Sequence, residues 1–514
     1  YLLGSYEQNE DGSYSYTTNR VGNEVSTDLN STNETAGDRR IYLEAMVDYN
    51  RTFGRHDVNA MLLYNQDELV NNVPGNNLIN SLPKRKQGLA GRLSYAYDGK
   101  YMAEVNMGYN GSENFAKGHR WGFFPSIALG YNISEESFFE PLRKVITSMK
   151  LRGSWGLVGN DQIGGERFIY MPTINLSGKG FTTGIDQNYG LSGPVYTRYE
   201  NNSITWEVGE KINLGIDLQL LNSLNIVVDI FRETRRDIFQ KKGTIPTYLG
   251  TGNTDVFGNL AEMKNQGLDL SIDYNKAFSK DFYMNFKGTF TYAHNEITKY
   301  DEAPKYAFQS KVGQSANVSQ GYLSNGLFLD EAEIDRYNQQ MGSTLGAGDI
   351  KYLNVSNMHG YGDDIVDVDD WTWIGNPTVP EIVYGFGPSF KYKNWDFSFF
   401  FQGVAKTSLF MSGFHPFGDN SLRNVLQFVA NDRWSPTNQN VDAKYPRLTR
   451  KTSLNNTNPG NSGRTSDYWM RDGSFLKLKN MELGYTFKRM RFYISGSNLL
   501  TFSKFDLWDP EQGG

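Results

Sequence analysis

Cysteine is absent from the 514 residues, so neither a disulfide nor a thiolate-ligated metal holds this chain together. No run of about 18 or more apolar residues occurs, which excludes a transmembrane helix. Histidine is scarce: His56, His119, His294, His359 and His415 form no i, i+4 pair and no Ser/His/Asp pattern. No glycine loop leads from a strand into a helix in the manner of a phosphate cradle. The chain therefore reads as a non-enzyme. An excess of one charge is lacking too. Lys and Arg number 51 against 57 Asp and Glu, a balance of −6 that gives no sign of a nucleic-acid partner. A signal peptide is also missing, and the chain opens on "YLLGSYEQNE" in mid-pattern, as expected of part of a longer precursor.

What is abundant is aromatic: 32 Tyr and 32 Phe, with 53 Gly. Tyr and Phe suit half-buried strands. The segment "GRLSYAYDGKYMAEVNMGYNGS" (91–112) shows how they are used. Around Asp98-Gly99, a pair favoured where both turn residues need positive φ, Leu93, Tyr95 and Tyr97 share one face. Tyr101, Ala103, Val105, Met107 and Tyr109 continue it on the return, and Arg92, Ser94, Glu104 and Asn106 take the other. The same period of two recurs near residues 43–49, 58–64, 127–133, 151–157, 206–220, 224–230, 268–274, 282–286, 382–386, 395–401, 481–487 and 492–494. About 14 strands are predicted.

The connections alternate in length. Short ones fall near Gly54, Asp98-Gly99, Glu140, Asn222, Ser279, Lys393 and Lys488, and long ones near 66–87, 111–122, 159–203, 240–263, 298–380 and 407–472. In an up-and-down meander every second connection lies at one end, so short turns and long loops face opposite sides. Aromatic residues cluster beside the short turns: Phe53, Tyr97, Tyr101, Phe278, Phe282, Tyr392, Trp395, Phe487 and Phe492. Segment 136–149, "ESFFEPLRKVITSM", reads as an amphipathic helix on the short-turn side. Two architectures produce one apolar face per strand, a soluble β assembly and an outer-membrane barrel. Loop asymmetry and turn-side aromatics favour the barrel, because a spanning sheet must pair all its backbone groups internally.

Several longer segments resemble SusC/RagA-type TonB-dependent transporters of Bacteroidota. They include "GHRWGFFPSIALGYNISEESFF" (118–139), "MKLRGSWGLVGND" (149–161), "ITWEVGEKINLGIDLQLLN" (204–222) and "DGSFLKLKNMELGYTF" (472–487). The resemblance covers about residue 39 to the end. It implies an all-β fold: a transmembrane antiparallel barrel with long extracellular loops and short periplasmic turns, of which these strands are part of a set of 22. It implies that residues 1–514 are the barrel portion, without the amino-terminal plug or the last strand. It further implies an outer-membrane location and import of oligosaccharides, or of oligopeptides. The implied partners are TonB, a SusD-like surface lipoprotein acting as a lid, and a second SusC–SusD pair in a dimer. A passive porin or adhesin barrel, and a soluble glycan-binding protein, are the readings this competes with.

Candidate sites follow. Arg92, Glu104, Asn106, Arg152, Lys211, Asp217, Asp269 and Asp273 are expected to face the barrel lumen. Loop aromatics Tyr189, Tyr196, Tyr199, Trp371, Trp373, Phe414, Trp434 and Trp469 are candidates for substrate or lid contact, as are Tyr306 and Phe308. Asp363, Asp364, Asp367, Asp369 and Asp370 lie where the family often carries a calcium-loop-like run. They are candidate hard-oxygen ligands for a Ca2+ ion in an extracellular loop. The spacing departs from that run, and no other cofactor is expected.

Overall fold

A computed structural model of the chain describes residues 2–19, 36–73, 78–246, 248, 255–337, 339–340, 345–411, 425–448 and 465–512. By contacts it divides into two compact units. The larger spans 38–323, 368–411 and 465–514; the smaller combines 1–37, 324–367 and 412–464.

One 14-stranded sheet dominates the larger unit. Its strands are β1 (Asp38–Phe53), β2 (His56–Asn71), β3 (Lys84–Tyr97), β4 (Tyr101–Ser112), β5 (Trp121–Asn132), β6 (Ile146–Asn160) and β7 (Glu207–Leu220). They continue with β8 (Leu224–Lys241), β9 (Phe257–Ala277), β10 (Phe282–Lys299), β11 (Ile382–Tyr392), β12 (Trp395–Ala405), β13 (Phe475–Phe487) and β14 (Met490–Ser503). Each pairs antiparallel with its chain neighbours, and β1 and β14 form the two edges among the described residues. This is the predicted meander, strand for strand. The connections are 54–55, 98–100, 133–145, 221–223, 278–281, 393–394 and 488–489 on one side, and 72–83, 113–120, 161–206, 242–256, 300–381 and 406–474 on the other; the expected alternation of short and long holds except at 133–145, which is longer than 72–83 and 113–120.

Local chemistry explains the short turns. Asp98 and Gly99 take φ of 55° and 67°, and Leu221 and Asn222 take 51° and 54°. Such turns match the right-handed twist of the strands they join. The strands outrun the apolar pattern, because β2 continues to Asn71 and β3 begins at Lys84 inside what reads as loop. Apolar alternation reports which residues meet lipid, whereas backbone pairing continues into water. The amphipathic helix expected at 136–149 does not form. Two 3-10 turns, Ile133–Glu135 and Ser137–Leu142, occupy the connection, with Pro141 inside the second. Ile146 already pairs with Leu220 in the sheet. The long loop at 161–206 hides a further hairpin, Thr173–Thr183 with Tyr189–Arg198, whose register is broken by three bulges.

Registers across the sheet put the apolar residues in continuous rows. Tyr95, Ala103, Leu129, Gly153, Leu214, Ile230, Leu268 and Tyr292 are successive partners on β3 to β10. Tyr95, Leu129, Leu214 and Ile230 in this row are exposed, Leu129 at 58% and Leu214 at 63%. Aromatic rings bound the rows at both ends. Tyr101 and Tyr131 stack at 5.1 Å near the short turns, and Tyr109 and Trp121 at 4.8 Å toward the long loops. Tyr101 and Tyr109 are eight residues apart on β4. That is about 27 Å along a strand at 3.4 Å per residue and roughly 20 Å of height at a ~40° tilt, the scale of a barrel's apolar band. Trp206 departs from its expected place in the longest row. It lies before β7 and is buried with Phe115, Ile163, Ile169 and Ile204 in a cluster at the long-loop end.

The smaller unit has its own core. Ser324–Leu327 pairs with Ile350–Tyr352, and Leu327, Phe328, Ile350, Tyr352 and Val429 are fully buried. Helix Glu331–Arg336 is capped by Asp330, whose side chain accepts from the Glu333 N–H.

Candidate functional site

The face opposite the apolar rows is polar from β3 to β10. Arg92, Asn106, Ser126, Gly156, Lys211, Glu233, Asn265 and Asn295 are consecutive partners in one row. A second row runs Gly130, Arg152, Gly215, Asp229, Asp269 and Thr291. Period-two alternation within strands, combined with these registers, puts all eight residues expected to face the lumen on this one face.

Several of the charges on it are paired. Arg92 donates through Nε and Nη2 to Glu104 Oε2 at 2.9 and 2.5 Å, and Asn106 donates to Glu104 Oε1 at 2.9 Å. Arg152 bridges two strands, with Nε 3.0 Å from Asp217 Oδ1 and Nη2 2.6 Å from Asp229 Oδ2. Gly215 makes room for it: a Cβ there would lie 2.6 Å from the Arg152 Cζ. Asp269 accepts from the Thr291 hydroxyl at 2.7 Å, and Asp273 accepts from the Asn275 amide. Lys211 lies 4.0 Å from Glu233, which also holds Arg235 at 2.7 Å. A cleft of about 410 Å3 is lined by Asn59, Arg92, Ala96, Glu104, Ala128 and Arg152. Paired charges on a rigid sheet give a wetted wall that can exchange hydrogen bonds with a passing polar solute.

The loop aromatics divide. Tyr189 and Tyr196 stand exposed on the hairpin of the 161–206 loop and Tyr199 just past it, with Tyr196 and Tyr199 stacked at 5.2 Å. Trp373 is half-buried and donates to the Ser310 carbonyl at 2.8 Å, while Trp371 packs edge-on to Tyr322 at 5.9 Å. Tyr306 and Phe308 stack on each other at 5.5 Å. Two expectations are corrected: Trp469 is wholly buried and Trp434 is 5% exposed. A Cβ on Gly348 would lie 2.4 Å from the Trp434 ring. Loops this long need cores of their own, and the largest rings fill them. Phe414 lies outside the described residues.

The five aspartates have different surroundings. Asp363 Oδ1 accepts from Asn354 and from the Ile365 N–H, each at 3.2 Å, and its Oδ2 accepts from Ser356 at 3.2 Å. Asp364 is exposed, Asp367 half-buried and Asp370 fully buried, and Asp369 pairs with Lys305. Among the described residues no three acidic or histidine side chains are gathered where one ion could join them.

Other polar constellations escape sequence reasoning. Asp349, fully buried, receives Arg447 Nε at 2.6 Å and Nη2 at 3.1 Å. Burial pushes the Asp349 carboxyl up, in spite of the guanidinium beside it. Lys477, also fully buried, meets Asp509 at 2.5 Å and Glu511 at 2.6 Å, tying the carboxyl segment to β13. Partners 98 and 32 residues apart leave no local signal.

Residues 2–499 match the family model described as TonB dependent receptor-like, beta-barrel. The chain is 25% identical to TonB-dependent receptor P3 of Formosa agariphila, over 96% of this chain and 50% of the relative. It is 28% identical to TonB-dependent receptor SusC of Bacteroides thetaiotaomicron, over 82% of this chain and 41% of that one. The chain thus spans about half the length of the curated relatives it matches. Among solved structures, the RagAB peptide transporter superposes with a TM-score of 0.67 at 20% identity, over 93% of this chain and 53% of that one, a likeness of fold. A sheet with one lipid-ready face, one polar face of paired charges and loops gathered at one end is the wall of an outer-membrane barrel, and the chain belongs to the TonB-dependent receptor family.

Proposed function

We propose that this chain forms the wall and outer loops of a TonB-energised importer of large nutrients, oligosaccharides foremost, working with a SusD-like lipoprotein lid. The observation that carries the reading is the continuous polar face on β3 to β10, backed by uncovered apolar rows between two aromatic borders. Such a wall separates lipid from a hydrophilic route and performs no bond chemistry. The exposed Tyr189, Tyr196 and Tyr199 offer amphipathic rings to a sugar or to a lid. The relative named TonB-dependent receptor SusC supports the dependence on TonB. Oligopeptide import is the second reading, supported by the fold shared with the RagAB peptide transporter.

Uptake tests the proposal. Cells expressing the full-length gene product take up fluorescent oligosaccharides or peptides, with and without a protonophore that collapses the inner-membrane gradient. The expected outcome is uptake abolished by the protonophore and by loss of TonB. Uptake that persists in both conditions identifies a passive pore and overturns the reading. Preference between the two cargo classes decides oligosaccharide against peptide.

A further inference from the structure

Where β8 and β10 leave the sheet, the loops that follow them line an open cavity of about 570 Å3, within the size range of small-molecule sites. Its wall carries Lys241, Lys242, Lys305 and Lys311 against two acids, Asp301 and Glu302. Both acids take part in loop hydrogen bonds, Asp301 tying the loop after β10 to the loop after β8 and Glu302 bonding within its own loop. Asp301 accepts from the Gly243 N–H at 3.0 Å and the Thr244 hydroxyl at 2.9 Å. Glu302 Oε1 accepts from the Ser310 hydroxyl at 2.7 Å and the Lys311 N–H at 2.8 Å. Two of the lysines are neutralised by carboxylates beyond the wall, Lys241 by Asp255 and Lys305 by Asp369. Lys242 and Lys311 have no carboxylate partner among the described residues. The Lys311 ammonium lies 4.4 Å above the Tyr300 ring centre and 3.3 Å from its hydroxyl, and Trp371 also lines the cavity.

We propose that this cavity is a subsite for an acidic sugar residue of the imported oligosaccharide. The inference rests on the import reading above. The sugar carboxylate lies between Lys242 and Lys311, since a charge-assisted hydrogen bond is about twice as strong as a neutral one. The apolar side of the pyranose lies against Trp371. A peptide would need partners for its backbone, and the wall amides of Gln240, Gln309 and Gln320 are already bonded within the loops. A carboxylated ring needs only the two cations and a surface to rest on.

Titration calorimetry on the full-length gene product in detergent tests this with three probes: an oligogalacturonate, its methyl ester of equal length, and an acidic peptide. The acid is expected to bind at least about tenfold more tightly than the ester. In the Lys242→Gln/Lys311→Gln double variant the acid loses that advantage and the ester is unchanged, while Lys242→Arg/Lys311→Arg restores it. Equal binding of acid and ester, no effect of the double substitution, or a lysine-dependent preference for the peptide overturns the subsite. Energised uptake of neutral oligosaccharides that persists in the double variant leaves the import reading standing whether or not the subsite does. Loss of energy dependence in the unaltered protein defeats the import reading instead.

Discussion

Asp349 shows what one buried charge demands. Burial raises its carboxyl, and Arg447 offsets this through two hydrogen bonds. Removing one partner of a buried pair costs about 3–5 kcal/mol, so Arg447→Met is expected to destabilise the smaller unit by that order at neutral pH. The sign with pH follows from the shift. A carboxyl raised above its ordinary 3.8 contributes its stability below that value and loses it as pH rises through the folded value. The penalty of Arg447→Met therefore shrinks on acidification, read as the chemical-denaturation midpoint at two pH values. Glu333 behaves in the opposite way. Burial alone would raise it, but the Lys351 ammonium at 2.8 Å and the Leu329 N–H at 2.7 Å hold it below its ordinary 4.5. Its contribution is present above that value and lost as pH falls through the lowered one. The hydrogen-exchange protection of Glu331–Arg336, taken relative to the intrinsic rate at each pH, should fall in acid, and Glu333→Gln should flatten the dependence. The sequence displays Asp349, Arg447, Glu333 and Lys351 as ordinary charged residues. Nothing local distinguishes them from Asp364, which stays exposed, because burial is decided by segments distant in the chain.

At the scale of elements, turns and glycines carry the information. Gly99 has φ of 67° with nothing within 4 Å of where its Cβ would lie, so substitution there is penalised by the backbone alone. Gly99→Val is expected to cost about 1–2 kcal/mol, seen as a lower temperature for loss of the folded band in a heat-dependent gel shift. Gly215 is a different case, because its missing side chain is the room in which Arg152 reaches Asp217 and Asp229. Gly215→Val is expected to cost about 1–3 kcal/mol through overpacking, with Gly215→Ala milder, measured as the urea midpoint in detergent. All 14 strands were legible because each repeats one apolar face. The hairpin within 161–206 was not. Gly178, Gly180, Gly190 and Gly193 interrupt its alternation, and its bulges break the period on which such reading depends.

For the whole molecule, the decisive quantity is apolar area without protein cover. Rows that include Leu129 and Leu214 would be a severe aggregation hazard in water, yet they are what a bilayer requires. Partition into the outer-membrane fraction, resistant to high-salt extraction, is the expected outcome. The edges β1 and β14 carry unpaired backbone groups among the described residues, which lipid does not tolerate, so both are expected to be paired in the membrane. Amide exchange on β1 in the membrane-embedded full-length protein should be as slow as on β7.

The strands, their two faces and most of the sorting of short turns from long loops were written in the chain, since each is a local matter of alternation and turn chemistry. It took the folded chain to show that Trp434 and Trp469 are buried in loop cores, that Asp370 is buried while Asp364 is exposed, and that Lys242 and Lys311 line one cavity. The physical reason is range: strand periodicity is set by neighbours two residues away, whereas a loop's interior is set by segments that meet across the fold.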